Sequence, residues 1–315
     1  MTRMLLATIL AVQTVLTPPD NKYSPAEDVK LGQEAAGQAE QQLPLMRDDA
    51  VTSYVEELGR RLVNAIPPNL RHPEFRYSFK VVNVREINAF ALPGGPMYVN
   101  RGMIEAARNE GEVAGVMAHE ITHVALRHGT AQASKATKYE VGAIAGAVLG
   151  AILGGRLGTV VSETTRFGLG TAFLRFGREF ERQADTGGVQ IMARAGYDPQ
   201  DMANMFKTIQ KQSGSGGPEW MSDHPDPGNR YDAIIREAKL LRVENPIRDT
   251  RGFEQVKTHL KRLPAAPTTE EAARTAGRTG GQNPGGQSRG GAPPAGRVEP
   301  PSSRSTTYTA GALFQ

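Results

Sequence analysis

The stretch His119-Glu120-Ile121-Thr122-His123 constrains this chain more than any other. Histidines at i and i+4 share one face of a helix, so both imidazoles can grip a single metal ion. Glu120 sits about 100° around the helix from His119, at the flank of the pair. From there it can reach a water on the metal without being a ligand itself. Two histidines do not complete such a site, because catalytic zinc usually takes three protein ligands and keeps a fourth position for water. The fold must therefore pack a second ligand-bearing element against the HExxH helix. The 315 residues include no cysteine. That excludes a disulfide scaffold, a thiol nucleophile, cysteine-ligated zinc and an iron–sulfur cluster, and it leaves histidine or carboxylate as the third ligand.

Asn109 is placed to cap this helix and Gly129 to end it, with Val113, Met117, Ile121 and Val124 as a core stripe from which the histidine pair points away. The residues after His123 are Val124, Ala125 and Leu126, so the extended HExxHxxGxxH pattern is absent and His128 falls too close. The third ligand is then expected to be a carboxylate on another helix. The run Glu179-Phe180-Glu181-Arg182-Gln183-Ala184-Asp185 offers it. Glu181 and Asp185 share a face. Glu181 can bind the metal, with Glu179 as its competitor, and Asp185 can accept a hydrogen bond from a ligand imidazole and fix its orientation. His72, His128 and His259 match no ligand spacing and read as surface residues.

The rest of the chain organises around this centre. Met1 to Leu16 carries one arginine before a short apolar run, which suits a secretory leader over about 1–20. Ser24-Pro25-Ala26-Glu27 is a capping box that opens a helix to about Gln42, and Asp48 to Ile66 is apolar at helical spacing. Phe75 to Val84 alternates as a strand, with short strands expected on either side of the turn Pro93-Gly94-Gly95-Pro96. A helix is expected from Gly177 to Arg194, closed by Gly196. Val141 to Gly155 has fifteen residues without a polar side chain and a glycine at every fourth position. As a helix it rises about 22 Å, short of a ~30 Å hydrocarbon core. The segment 141–161 therefore reads either as an interfacial or lid element that touches a membrane surface, or as a helix packed within the protein or an oligomer. From Pro264 to Gln315 the chain is too poor in large apolar residues to repay ordering and reads as a disordered tail. A formal charge of +4 gives no support to a nucleic-acid partner.

Five ordered pieces, spanning roughly 24–240, resemble the HtpX/BepA-type zinc metallopeptidases, which include the CAAX prenyl endopeptidase. They are Ser24-Pro25 with its helix through Leu43-Pro44-Leu45, the turn Asn88-Ala89-Phe90-Ala91-Leu92-Pro93-Gly94-Gly95, His119 to His123, Glu181-x-x-Ala184-Asp185, and Ser222-Asp223-His224-Pro225 followed by Arg230. The resemblance implies one Zn2+ per chain, held by His119, His123 and Glu181, with Asp185 as the partner of a ligand imidazole and Glu120 as catalytic base. It implies that Asn88, Ala89, Phe90, Ala91, Leu92, Pro93, Gly94 and Gly95 form an edge strand and turn that hold a peptide substrate. His224 is implied near the metal, either stabilising the oxyanion or filling the open position in a latent state. Arg230 is an anchor or a second charge.

The expected fold is α+β: a mainly helical, zincin-like domain over about 21–263, with a small sheet beside the HExxH helix. The expected activity is zinc-dependent cleavage of protein or peptide substrates by an exported protein, periplasmic or membrane-associated, in envelope protein quality control. A metal-bound, non-proteolytic chaperone or adaptor is the alternative. The oligomeric state is left open.

Overall fold

The computed structural model describes residues 14–135, 176–212, 220, 224 and 229–279. The apolar part of the leader, the glycine-spaced segment 141–161 and residues 280–315 of the tail lie outside the described residues.

Helix α1 (Pro25–Gln42) begins as its sequence dictates. The Ser24 side chain accepts from Glu27 N–H while the Glu27 carboxylate accepts from Ser24 N–H, so two orphan amide donors are satisfied together. Helix α2 (Asp49–Asn64) is capped by Asp48 and buries Val51, Tyr54, Val55, Leu58 and Leu62 on one face. A three-stranded sheet follows, with β1 (Ser78–Val82), β2 (Ala89–Ala91) and β3 (Pro96–Asn100) in the order β1-β3-β2. Strands β1 and β3 are parallel and β2 is antiparallel to β3. The hairpin between β2 and β3 closes with Gly95 N–H bonded to Leu92 C=O. Proline at its second position and Gly94 at φ 74° in its third make it a type II turn. A Cβ on Gly95 would fall 2.6 Å from the backbone of Arg76, so the turn also depends on a bare α-carbon there. The outer edge of β1 is partly covered by Pro44–Met46. Strand β2 is the opposite edge.

Helix α3 (Arg101–Ala106) leads into α4 (Glu110–Ala125), which carries HExxH. All of α4 is buried, so the expected single stripe is too narrow a description. The helix runs through the middle of the main core and packs on α2, β2, α6 (Arg178–Ala195) and α7 (Gln200–Gln212). Its alanines and glycines allow this. A Cβ on Gly115 would lie 2.6 Å from Met202 Cα, so α7 can approach only because that position is glycine. The end of α4 also differs from expectation. The left-handed residue is Arg127 (φ 60°), and Gly129 lies inside the next helix, α5 (His128–Lys135). The Arg127 guanidinium clasps buried Asp28 at 2.6 and 3.1 Å and also bonds the Tyr23 carbonyl, which holds the backbone in a conformation a non-glycine residue rarely adopts.

Helices α8 (Arg230–Leu240), α9 (Arg251–Leu260) and α10 (Thr269–Thr279) complete the described chain. Packing extends to both sides of 21–263. Leu16 is buried in the core and Gln190 donates to the Thr14 carbonyl, while Arg85 N–H bonds the Pro267 carbonyl and Ala266 is buried. The architecture is the mainly helical α+β class with a small sheet. Among the described residues no helix is long and apolar enough to cross a membrane.

Candidate metal centre

Two helices and the start of a third converge on one point. Helix α4 contributes His119, Glu120 and His123 within little more than one turn, all buried. Helix α6 contributes Glu181 and Asp185. Glu181 lies in the first turn of α6, where the partial positive charge of the helix N-terminus favours a carboxylate. His224 and the first residue of α8, Arg230, close the remaining side.

The imidazole nitrogens Nε2 of His119 and His123 are 3.0 Å apart. Glu181 places one carboxylate oxygen 3.5 Å from each. His224 Nδ1 lies 3.2 Å from His119 Nε2 and 3.1 Å from Glu181 Oε1, and its Nε2 is 3.3 Å from Glu120 Oε1. Ligand atoms from His119, His123, Glu181 and His224 all fall within 4.8 Å of one another. Around them, Asp185 Oδ1 lies 3.0 Å from His119 Nδ1, so His119 can donate there and keep its Nε2 lone pair free. Arg230 donates to both Asp185 oxygens at 2.8–3.0 Å and lies 3.0 Å from Glu181 Oε2. Its guanidinium sits over the rings of Phe206 and Trp220. Trp220, the only tryptophan in the chain, donates to Glu120 Oε1 at 3.3 Å and stacks on His224.

Burial and charge oppose one another here. Burial would raise the Glu181 carboxyl, but the charge of His224 and the close imidazoles of His119 and His123 hold it well below the usual carboxylate range. Burial pushes His123 well below the ordinary imidazole value. Burial also lowers His224, but the facing Glu120 and Glu181 carboxylates outweigh it and raise that imidazole to about 9.

These residues fit a divalent metal ion. The donors are nitrogen and oxygen only, they meet at one point, and Glu181 Oε2 is buried without a hydrogen bond despite its neighbours. A cation at that point would satisfy this oxygen and relieve the opposition of two close imidazole nitrogens.

A model of peptidase family M48 matches residues 49–238. The chain belongs to peptidase family M48. Similar proteins include the Beta-barrel assembly-enhancing protease of Escherichia coli K12, 30% identical over 261 residues that cover 76% of this chain and 53% of the relative. The Yersinia pestis protein of the same name is 31% identical, covering 69% of this chain and 45% of the relative. The Mitochondrial metalloendopeptidase OMA1 of Schizosaccharomyces pombe is 26% identical, covering 62% of each chain. The chain spans about half the length of the bacterial relatives it matches.

The M48 span contains every predicted site residue. The structure gathers His119, Glu120, His123, Glu181, Asp185, His224 and Arg230 at one centre and leaves Glu179 exposed, paired with Arg182. Asn88 to Gly95 form β2 and its turn, on the strand that packs against α4. His72 and His259 are half-buried, the one bonded to the Ala125 carbonyl and the other to Asp48. His128 corrects the sequence reading: it is fully buried, with Nδ1 2.9 Å from His123 Nδ1. Its place five residues after His123 falls off the ligand face of a straight helix, and only the break at Arg127 turns it back. Trp220 and Phe176, whose ring stacks on His123 at 4.0 Å, carry no sequence signal of this role.

Proposed function

We propose that this chain is a zinc-dependent metalloendopeptidase. The observation that carries this reading is the convergence of two imidazoles from one helical turn with a carboxylate from a second helix, beside a buried carboxylate that is not part of the ligand set. His119, His123 and Glu181 would hold the ion. Zinc, when bound, supplies Lewis acidity to a substrate carbonyl and lowers the pKa of an adjacent water. Glu120 then acts at Oε1 or Oε2, taking the proton of the attacking water and returning it to the leaving amide nitrogen. Trp220 and His224, both directed at Oε1, orient that carboxylate. His224 and Arg230 supply positive charge on the side where a tetrahedral oxyanion develops.

The substrate class is an extended peptide. In the register with β3, residues 88, 90 and 92 face β3, so the backbone groups of Ala89 and Ala91 face away from it. A peptide strand added there runs alongside α4. Asn88 Oδ1 accepts from Ala89 N–H, and an incoming strand must replace that bond. The name of the bacterial relatives and the apolar leader together support an exported enzyme of the bacterial envelope, acting in protein quality control.

A second reading rests on His224. Its imidazole lies within the ligand cluster itself, so it can act as a fourth protein ligand that excludes substrate, and a chain held in that arrangement would be a non-proteolytic chaperone or adaptor. Cleavage of a casein-type substrate, with and without a chelator, separates the two readings. Glu120→Gln should retain bound zinc and lose cleavage; a variant that cleaves at the wild-type rate removes Glu120 as the base.

A further inference from the structure

His119 and His123 are oriented by different means. His119 has a carboxylate, Asp185, behind it. Behind His123 stands an uncharged chain of groups whose directions can be worked out from its far end. Gln183 Nε2 lies 3.3 Å from the Thr17 carbonyl oxygen, which can only accept, so the Gln183 amide must point its NH2 there. Its Oε1 then faces His128 Nε2 at 3.0 Å and can only accept. The proton of neutral His128 is therefore on Nε2, and its Nδ1 is bare. That bare nitrogen lies 2.9 Å from His123 Nδ1, so the proton shared between the two rings resides on His123. His123 Nε2 is left with its lone pair directed at His119 Nε2 and Glu181.

We infer that His128 and Gln183 are positioning residues of the metal centre: they impose the Nδ1–H tautomer on His123 and so present its Nε2 lone pair to the metal. The inference rests on the metal-centre reading above. Packing supports it independently of hydrogen bonds. His128 stacks on Phe180 at 4.3 Å and 2°, and Phe176 lies over His123 at 4.0 Å and 20°, so neither ring is free to turn. Each member comes from a different place: His123 from α4, His128 from α5, Gln183 from α6, and Thr17 from the segment that precedes α1.

The test is zinc affinity of the purified full chain, by competition with a chromophoric chelator. Gln183 is half-buried, so Gln183→Leu should fold; it removes the acceptor and should weaken zinc binding about 10- to 100-fold. Gln183→Glu keeps an acceptor facing His128 Nε2–H and should restore affinity to near the wild-type value. His128→Phe keeps the stacked ring, loses the acceptor and should weaken binding as Gln183→Leu does. In metal-free wild type, nitrogen NMR of labelled histidines should show His123 protonated at Nδ1. Wild-type affinity in both Gln183→Leu and His128→Phe, or a His123 proton on Nε2, overturns the inference. A wild-type chain that takes up no zinc overturns the metal-centre reading along with it, whereas zinc-binding wild type with equal variants overturns this inference alone.

Discussion

Asp185 and Arg230 show how one buried pair serves the site. The Arg230 guanidinium is fully buried, and the Asp185 carboxylate both neutralises it and accepts from His119. Removing one partner of a buried pair leaves an uncompensated charge, which costs about 3–5 kcal/mol. Asp185→Ala should therefore lower stability by that order, read from denaturant midpoints, and also weaken zinc binding. Arg230→Ala should lower stability similarly while leaving the carboxylate on His119. Equal zinc affinity in wild type and Asp185→Ala would show that the carboxylate does not orient that ligand. Glu181→Ala removes the third donor, and its metal content by mass spectrometry should fall to background. Retained metal in that variant would put the third ligand elsewhere.

Helix ends and helix crossings carry the next set of expectations. Asp48 caps α2 and also bonds His259, and that bond, which outweighs the opposing effect of burial, holds its carboxyl below the usual value. A lowered folded-state value means that the stabilisation is complete above the ordinary carboxylate pKa, about 3.9, and is lost as pH falls through the depressed value. Asp48→Ala should cost about 1 kcal/mol at pH 7, and the gap to wild type should close as the pH is taken from 5 to 2. A constant gap would assign the effect to packing. At the crossing of α4 and α7, Gly115→Ala forces a methyl to 2.6 Å from Met202 Cα, and overpacking of this kind costs about 1–3 kcal/mol. Capping residues were readable along the chain because caps are local: Ser24, Asn109 and Gly196 all act where expected. The end of α4 was not readable, because Arg127 takes its left-handed conformation only with Asp28, ninety-nine positions away, to hold it.

In the whole molecule, α4 and α6 meet along their length and converge on the ligand cluster. A metal bound between them stabilises the folded chain by about 4 kcal/mol at a thousandfold excess over its dissociation constant. Chelation should therefore lower the melting temperature of wild type and leave that of Glu181→Ala unchanged; a wild-type melting temperature indifferent to chelator would count against an ion joining these helices. What could be read from the chain alone was chemistry with a fixed local period. Histidines four apart on one helix, a carboxylate pair four apart on another and the capping residues between them all follow from helical geometry. Spacing left Glu181 and Glu179 as competitors, and the family resemblance favoured Glu181. Only the tertiary structure decided that α4 is buried on all sides, that His128 stands behind His123, and that Trp220 and Phe176 hold the rings in place. Those contacts join residues from separate elements, and their positions depend on how whole helices pack, which no local period encodes.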